Sequence, residues 1–107
     1  MVVSYREKTE KVSVIYFRRT GCSVVEKTDN IVQEIDGDLG IELEIITVDL
    51  TREEKLSEQE IILKNEYNVI GVPVIIINGK EYTGVFTKES IEGEICKKFL
   101  FRPEECK

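Results

Sequence analysis

The stretch Val72–Phe86 has the sequence VPVIIINGKEYTGVF and contains the strongest local folding signal in the chain. Asn78 and Gly79 separate two runs that are rich in β-branched and aromatic residues. Both residue types adopt the left-handed backbone conformation that a type I′ turn requires, and this turn joins two antiparallel strands. The stretch therefore predicts a β-hairpin, with Pro73 directly before its first strand.

The first half of the chain predicts two further strands separated by a helix. Lys11–Phe17, KVSVIYF, has the composition of a buried strand, and a turn containing Cys22 follows it. Asp36–Gly40 predicts the end of a helix and a loop, and Ile41–Leu50 predicts the second strand. Two strands joined by a crossover helix are expected to be parallel. The expected inner face of this helix, by residue spacing, consists of Val24, Val25, Thr28, Ile31, Val32 and Ile35.

Two more helices complete the expected fold. Thr51 is predicted to cap a helix that extends to Tyr67, and Thr87 is predicted to cap the last helix. The order of elements is β-α-β-α-β-β-α, which predicts an α/β domain with a four-stranded mixed sheet and helices on both faces, a three-layer α/β/α arrangement. The expected inner faces of these two helices are Leu56, Ile62, Leu63 and Tyr67, and Ile91, Ile95 and Phe99.

Composition limits the classes of function. The chain of 107 residues, 41% hydrophobic and 34% charged, is expected to form one globular domain over residues 1–107. Its net charge of -6 argues against nucleic acid and anionic membranes as partners, because phosphate binding needs clustered Lys and Arg. No run of about eighteen apolar residues could span a bilayer, and residues 1–14 lack the apolar core of a signal peptide. We therefore expect a cytoplasmic protein, either monomeric or weakly dimeric.

Cys22 is the main candidate for chemistry. The chain has no histidine, which excludes Ser-His and Cys-His catalysis, and its three cysteines are too far apart for a zinc knuckle. No metal or cofactor is therefore expected. Cys22 lies where the first strand ends and a helix begins, and the helix amides together with Arg18 and Arg19 would favour its thiolate. Alternatively, Cys22 is a small buried hydrophobe, and the two arginines are solvated surface charges.

The order of elements resembles that of the thioredoxin and glutaredoxin superfamily from Lys11 to about Phe101. The most similar segments are YFRRTGC at Tyr16–Cys22 and GVPVIIINGK at Gly71–Lys80. The resemblance implies a thioredoxin fold, an active site at Cys22 and a cis-proline at Pro73 before the third strand. The superfamily motif is Cys-x-x-Cys.

Two positions of this chain depart from the superfamily pattern. Val25 stands where the second cysteine would be, and Tyr16 stands where thioredoxins have a buried acidic residue. Val25 has no thiol with which to resolve a mixed disulfide, so a dithiol cycle at this motif is excluded. We therefore expect this chain to share the fold of the superfamily but not its dithiol chemistry.

One functional hypothesis is a monothiol thiol-disulfide oxidoreductase. Cys22 would be the nucleophile, and an external thiol would resolve the mixed disulfide. By the resemblance, the backbone of Val72 would bind an extended substrate and Pro73 would shape the groove. Arg18 and Arg19 would bind an anion or stabilise the thiolate. The partners would be protein disulfides or a low-molecular-weight thiol. A peroxidase function is less favoured, because the sequence has no dedicated resolving cysteine.

The alternative hypothesis is a non-catalytic binding or scaffold module that has lost dithiol activity. Cys22 would then be incidental or would link two chains. In this case Ser23–Val25 could form a hydrophobic recognition patch with Val72 and Pro73.

The two ends of the chain carry separate expectations. The C-terminal Cys-(x)9-Cys is similar to that of some small archaeal thioredoxin-like proteins, and the resemblance implies a structural disulfide between Cys96 and Cys106. Alternatively, Cys96 is a core residue. It is expected about 13 Å along the last helix from the active-site edge, too far for either cysteine to reach Cys22. Residues 1–10 are expected to form an arm or an extra strand, and residues 102–107 a tail.

Overall fold

A computed structural model describes residues 11–106 of the chain. Its elements follow the expected order β-α-β-α-β-β-α. Short 3-10 helices at Gly40–Glu42, Glu53–Lys55 and Glu104–Cys106 lie between or after them. The arm or extra strand expected at residues 1–10 lies outside the described residues. The main elements are β1 (Val12–Arg18), α1 (Ser23–Leu39), β2 (Leu43–Asp49), α2 (Glu58–Glu66), β3 (Val74–Ile77), β4 (Lys80–Glu81) and α3 (Lys88–Cys96).

The strands form the expected four-stranded mixed sheet, in the order β2-β1-β3-β4. β1 and β2 are parallel, whereas β3 is antiparallel to both β1 and β4. Asn78 and Gly79 have φ angles of 49° and 82°, as a type I′ turn requires. The hairpin prediction is therefore confirmed, although β4 has only two residues.

Helices cover both faces of the sheet, which confirms the three layers. On one face, α1 and α3 pack against alternate residues of β1, such as Val14 and Tyr16. On the other face, α2 and the segments that flank it cover Ile15 and Phe17. The central strand β1 is consequently apolar on both sides, as expected for a strand covered by helices on both faces. The helical residues of the first core are Ile35, Leu39, Ile91, Ile95 and Cys96, and the side chains that α2 and its flanks pack into the second are Leu56, Leu63, Tyr67 and Val69.

The start of α2 differs from the prediction. The cap is Ser57 rather than Thr51, and Ser57 and Glu60 form a reciprocal capping box. The Thr51 hydroxyl instead bonds Asp49 and accepts from the backbone of Thr20, at 2.8 Å. Thr51 therefore fixes a loop, and the helix begins seven residues after it, at Glu58. Ser57 and Glu60 have the spacing of a capping box, but Thr51 and Glu54 have the same spacing, so the pattern alone does not distinguish the two caps.

The inner faces of two helices also differ in part. α1 continues through the segment expected to be a loop, because Leu39 extends the apolar face by one turn and is fully buried. At the other end of α1, Val24 is 52% exposed, and in α2 Ile62 is 60% exposed. These two residues were wrongly placed in the core. In α3, by contrast, the Thr87 cap and the buried Ile91 are as predicted.

Candidate functional site

Cys22 lies at the junction between β1 and α1. It is the N-cap residue of α1, with extended backbone angles, and its carbonyl accepts from the amide of Glu26 at 3.0 Å. Gly21 has a φ of 96°, which lets the chain reverse direction between the strand and the helix. The Cys22 thiol is free and partly exposed, and within residues 11–106 it makes no capping bond. The thiol is therefore accessible at a helix N-terminus.

Val72 and Pro73 lie at the same edge of the sheet as the turn that carries Cys22. β3 runs antiparallel to β1, and Val74 at its start is paired with Phe17 near the end of β1. Both chain segments therefore emerge at one edge. The Val72–Pro73 peptide bond is cis, and both residues are half-buried. The structure thus brings three of the expected site residues to one edge of the sheet.

Tyr16 and Val25, the two positions that depart from the superfamily pattern, are in contact with each other. The buried Tyr16 hydroxyl approaches the Val25 carbonyl at 3.3 Å and Asp29 Oδ1 at 2.6 Å. Burial and the neighbouring Asp29 raise the pKa of Tyr16 far above its usual value, so its hydroxyl remains a donor. The side chain of Val25 is fully buried. Val25 therefore cannot belong to the expected surface patch, of which Ser23 and Val24 remain exposed.

Arg18 forms an ion pair with two carboxylates, which the sequence did not predict. Its Nε and Nη2 atoms donate to the two oxygens of Asp29 at 3.0 and 3.1 Å, and its Nη1 donates to Asp49 at 2.7 Å. Partial burial opposes the ionisation of Asp29, but hydrogen bonds from Arg18 and Tyr16 outweigh this effect and hold its pKa below the ordinary value. All three guanidinium nitrogens donate to carboxylates. Arg18 therefore joins α1 to the sheet through an ion pair, and its role toward an anion or the thiolate stays a prediction.

Arg19 extends toward the opposite face of the sheet. It donates to the Leu50 carbonyl and to Glu53, both at 3.3 Å, and Glu53 also binds Lys64 at 2.7 Å. The two arginines diverge because neighbouring residues at a strand end point to opposite faces. Arg19 and Val72 both line a cavity of about 200 Å³. Of the two arginines, Arg19 is therefore the one placed beside the expected substrate groove.

The described residues superimpose on solved thioredoxin domains. The J-Trx1 fragment of ERdj5 matches 89% of this chain and 46% of its own length, with 18% identity and a TM-score of 0.65. The first two thioredoxin domains of Eps1p from Naumovozyma dairenensis match 87% of this chain and 36% of theirs, with 14% identity and a TM-score of 0.63. Deadhead, a germline-specific thioredoxin of Drosophila melanogaster, covers 92% of this chain and 90% of its own, with 13% identity and a TM-score of 0.62. The chain has a thioredoxin fold.

These similarities concern the fold. The chain spans less than half the length of the ERdj5 and Eps1p fragments. No protein-family model matches the sequence, and no curated protein does. The chemistry of this thioredoxin fold must therefore be argued from its own residues.

Cys96 and Cys106 form a disulfide, with their Cα atoms 5.6 Å apart. Cys96 is the last residue of α3 and is buried in the core between α1 and α3. The disulfide therefore attaches the C-terminal segment to the end of this helix. Because the chain has three cysteines, Cys22 is its free thiol.

Two residues with hydroxyl side chains, Thr20 and Thr51, hold the turn before Cys22, and no local sequence motif marks their contact. The Thr51 hydroxyl accepts from the Thr20 amide at 2.8 Å and lies 3.0 Å from the Thr20 hydroxyl. Thr20 lies two residues before Cys22, and Thr51 lies directly after β2 and the buried Leu50. The pair connects the end of β2 to the Cys22 turn.

Within residues 11–106, no group of three or more potential metal-ligating side chains occurs. No helix in the same part of the chain is long and apolar enough to cross a bilayer.

Proposed function

We propose that this chain performs monothiol thiol-disulfide exchange through Cys22, with an external thiol as the resolving group. The observation that carries the proposal is a free, partly exposed cysteine at the N-terminus of a 17-residue helix. The amides of a first helical turn have no partners within the helix and stabilise negative charge. A thiolate at Cys22 is therefore favoured, and the thiolate is the reactive form.

The proposed reaction has two exchange steps. In the first, the Cys22 thiolate attacks one sulfur of a substrate disulfide, forms a mixed disulfide with that half and releases the other half as a thiolate. In the second, an external thiolate attacks the substrate-derived sulfur of the mixed disulfide. It forms a new disulfide with that half and releases Cys22 as a thiolate. The substrate disulfide and the external thiol are thereby converted into a new disulfide and a new thiol, without net oxidation.

The external resolving thiol follows from the arrangement of the other residues. Val25 carries no thiol, and Cys96 and Cys106 are bonded to each other. An intramolecular resolving step would need another free thiol in the chain. The resolving group must therefore come from solution, and we assign it to a low-molecular-weight thiol.

The substrate groove is assigned to the edge that carries Val72 and Pro73. Ile70, in the loop before them, is 93% exposed, and Val24, two residues after Cys22, is 52% exposed. Exposed apolar side chains beside a thiol favour protein disulfides with apolar flanking residues. The backbone of Val72 would pair with such a segment, and Pro73 would limit its approach.

The test is the reactivity of Cys22 in protein purified without reductant. Alkylation at neutral pH should proceed faster in the folded protein than in the same protein unfolded in guanidinium chloride. The protein should also catalyse exchange between 2-hydroxyethyl disulfide and glutathione, and Cys22→Ser should abolish this activity. The disulfide-bonded cysteines serve as an internal control, because they should not be labelled. A folded-state rate at or below the unfolded-state rate would exclude an activated thiol.

The second candidate function is a non-catalytic binding module. The exposure of Ile70 and Val24 at the same edge favours it, because both could contact a partner without any exchange reaction. A Cys22→Ser variant that retains full partner binding, together with a wild type that lacks exchange activity, would favour this candidate over the first.

A further inference from the structure

The Tyr16 hydroxyl connects the central strand to the beginning of the Cys22 helix. The Tyr16 side chain is 2% exposed and lies in the core between the sheet and α1. Its hydroxyl proton is directed to Asp29 at 2.6 Å and lies within reach of the Val25 carbonyl at 3.3 Å. Both acceptors belong to the first two turns of α1. One side chain of β1 therefore holds the start of the helix in place.

The contact continues across the sheet through Arg18. Arg18 holds both oxygens of Asp29 and also bonds Asp49, the last residue of β2. The carbonyl of Arg18 accepts from the amide of Leu50 at 2.7 Å. The first turns of α1 are thus tied to two neighbouring strands and not to β1 alone.

The position of this first turn determines what Cys22 can do. Cys22 caps the helix, and the amides of the next residues point toward the N-terminal end, where they can stabilise its thiolate. Helix ends fray when nothing holds them. Val25 is the third residue of α1, so the Tyr16 hydroxyl, 3.3 Å from its carbonyl, packs against the same turn that presents these amides.

We propose that Tyr16 is a positioning residue for Cys22: its hydrogen bond to Asp29 and its contact with the Val25 carbonyl hold the first two turns of α1 in place and so keep the helix amides directed at the thiolate. This inference rests on the proposed function, because it concerns the reactivity of the same thiol. It gives a physical role to an aromatic hydroxyl at a position where the superfamily pattern has an acid.

The test compares the pH profile of Cys22 alkylation in Tyr16→Phe with that of the wild type. Loss of the hydroxyl should slow alkylation at pH 6.5 by about two- to five-fold, the range of helix-terminus effects on a charged group. The rate measured at a pH well above the ordinary thiol pKa of about 8.5 should be nearly unchanged. A general loss of stability alone would not shift the pH profile of the folded protein.

Tyr82→Phe is the matched control. Tyr82 is also buried, and its hydroxyl donates to the Val85 carbonyl rather than to α1. This control should keep the wild-type pH profile.

Asp29→Ala provides a second variant that separates the effect of the Asp29 charge from the effect of helix position. Removal of the Asp29 charge alone would speed alkylation, whereas loss of the Tyr16 contact would slow it, and we expect slowing. The Asp29 variant decides the question if Tyr16→Phe does not fold.

The outcomes distinguish the two proposals. If wild-type Cys22 reacts no faster when folded than when unfolded, the proposed function fails. If wild-type Cys22 is activated but Tyr16→Phe keeps its pH profile, or Tyr82→Phe shifts the profile equally, the positioning role of Tyr16 is overturned and the proposed function stands. If Asp29→Ala speeds alkylation, the role of Asp29 is electrostatic, and the positioning role is likewise overturned.

Discussion

Reduction of the Cys96–Cys106 disulfide should destabilise the protein by an amount that its loop length sets. The bond joins residues separated by 10 positions. For a loop of this length, the restriction of the unfolded chain is worth about 2.7 kcal/mol at 25 °C. With an unfolding entropy of about 2.1 cal/mol/K per residue, the 107-residue chain should lose about 12 °C in Tm. Reduction leaves both sulfur atoms in place, so core packing around Cys96 changes little.

The measurement is guanidinium chloride unfolding of the Cys22→Ser protein, oxidised and reduced, followed by circular dichroism. The Cys22→Ser background prevents disulfide exchange with the third cysteine. The double variant Cys96→Ser/Cys106→Ser should lose more stability than reduction does, because it also places a hydroxyl in the core between α1 and α3, where Cys96 is 7% exposed. A loss below about 1 kcal/mol on reduction would refute the reasoning, since the loop would then not restrict the unfolded chain as the entropy relation requires.

Three other substitutions test the site and the helices. Val25→Cys should form a disulfide with Cys22, because the two positions lie one helical turn apart, and should add dithiol reductase activity in an insulin reduction assay; the persistence of two free thiols would contradict this. The lowered pKa of Asp29 gives stability that is present above the unfolded carboxyl value of about 3.9 and is lost as pH falls through the native value. Asp29→Asn should therefore flatten the acid side of the stability profile, measured by urea unfolding from pH 2 to 6, and an unchanged slope would contradict the assignment. Burial raises the pKa of Glu92, whose Oε2 atom has no hydrogen-bond partner in the described residues. The stability that the protonated carboxyl contributes is therefore lost as pH rises through the pKa of Glu92 in the folded protein. Glu92→Gln should raise Tm at pH 7 more than at pH 4, and an equal effect at both would contradict the prediction.

The fold could be predicted because its main signals are local. The Asn78–Gly79 turn and the strand-helix-strand pattern of the first half each depend on a few neighbouring residues. The parallel crossover then follows from general rules of sheet connection. The start of α2 was missed because Thr51 and Ser57 are both suitable caps. The choice between them depends on Thr20, which binds Thr51 from 31 positions away.

Only the parts of the site that depend on short sequence motifs could be predicted. Cys22 and the Val72–Pro73 pair were located from short motifs, and the structure brings them to one edge. The role of Arg18 could not be derived in this way. Its partners Asp29 and Asp49 are 11 and 31 positions away and belong to other elements. The sequence shows the guanidinium but not which carboxylates the fold places beside it.

The same ion pair bears on how an external thiol would be deprotonated. Asp29 is held in its ionised form by Arg18, and the raised pKa of Tyr16 keeps its hydroxyl protonated. Asp29 is thus committed to Arg18, and Tyr16 is a poor proton acceptor at neutral pH. The chain has no histidine that could accept the proton instead. If Cys22 exchanges disulfides as proposed, the resolving thiol must therefore lose its proton to solvent before it attacks, and its own acidity sets the pH dependence of turnover.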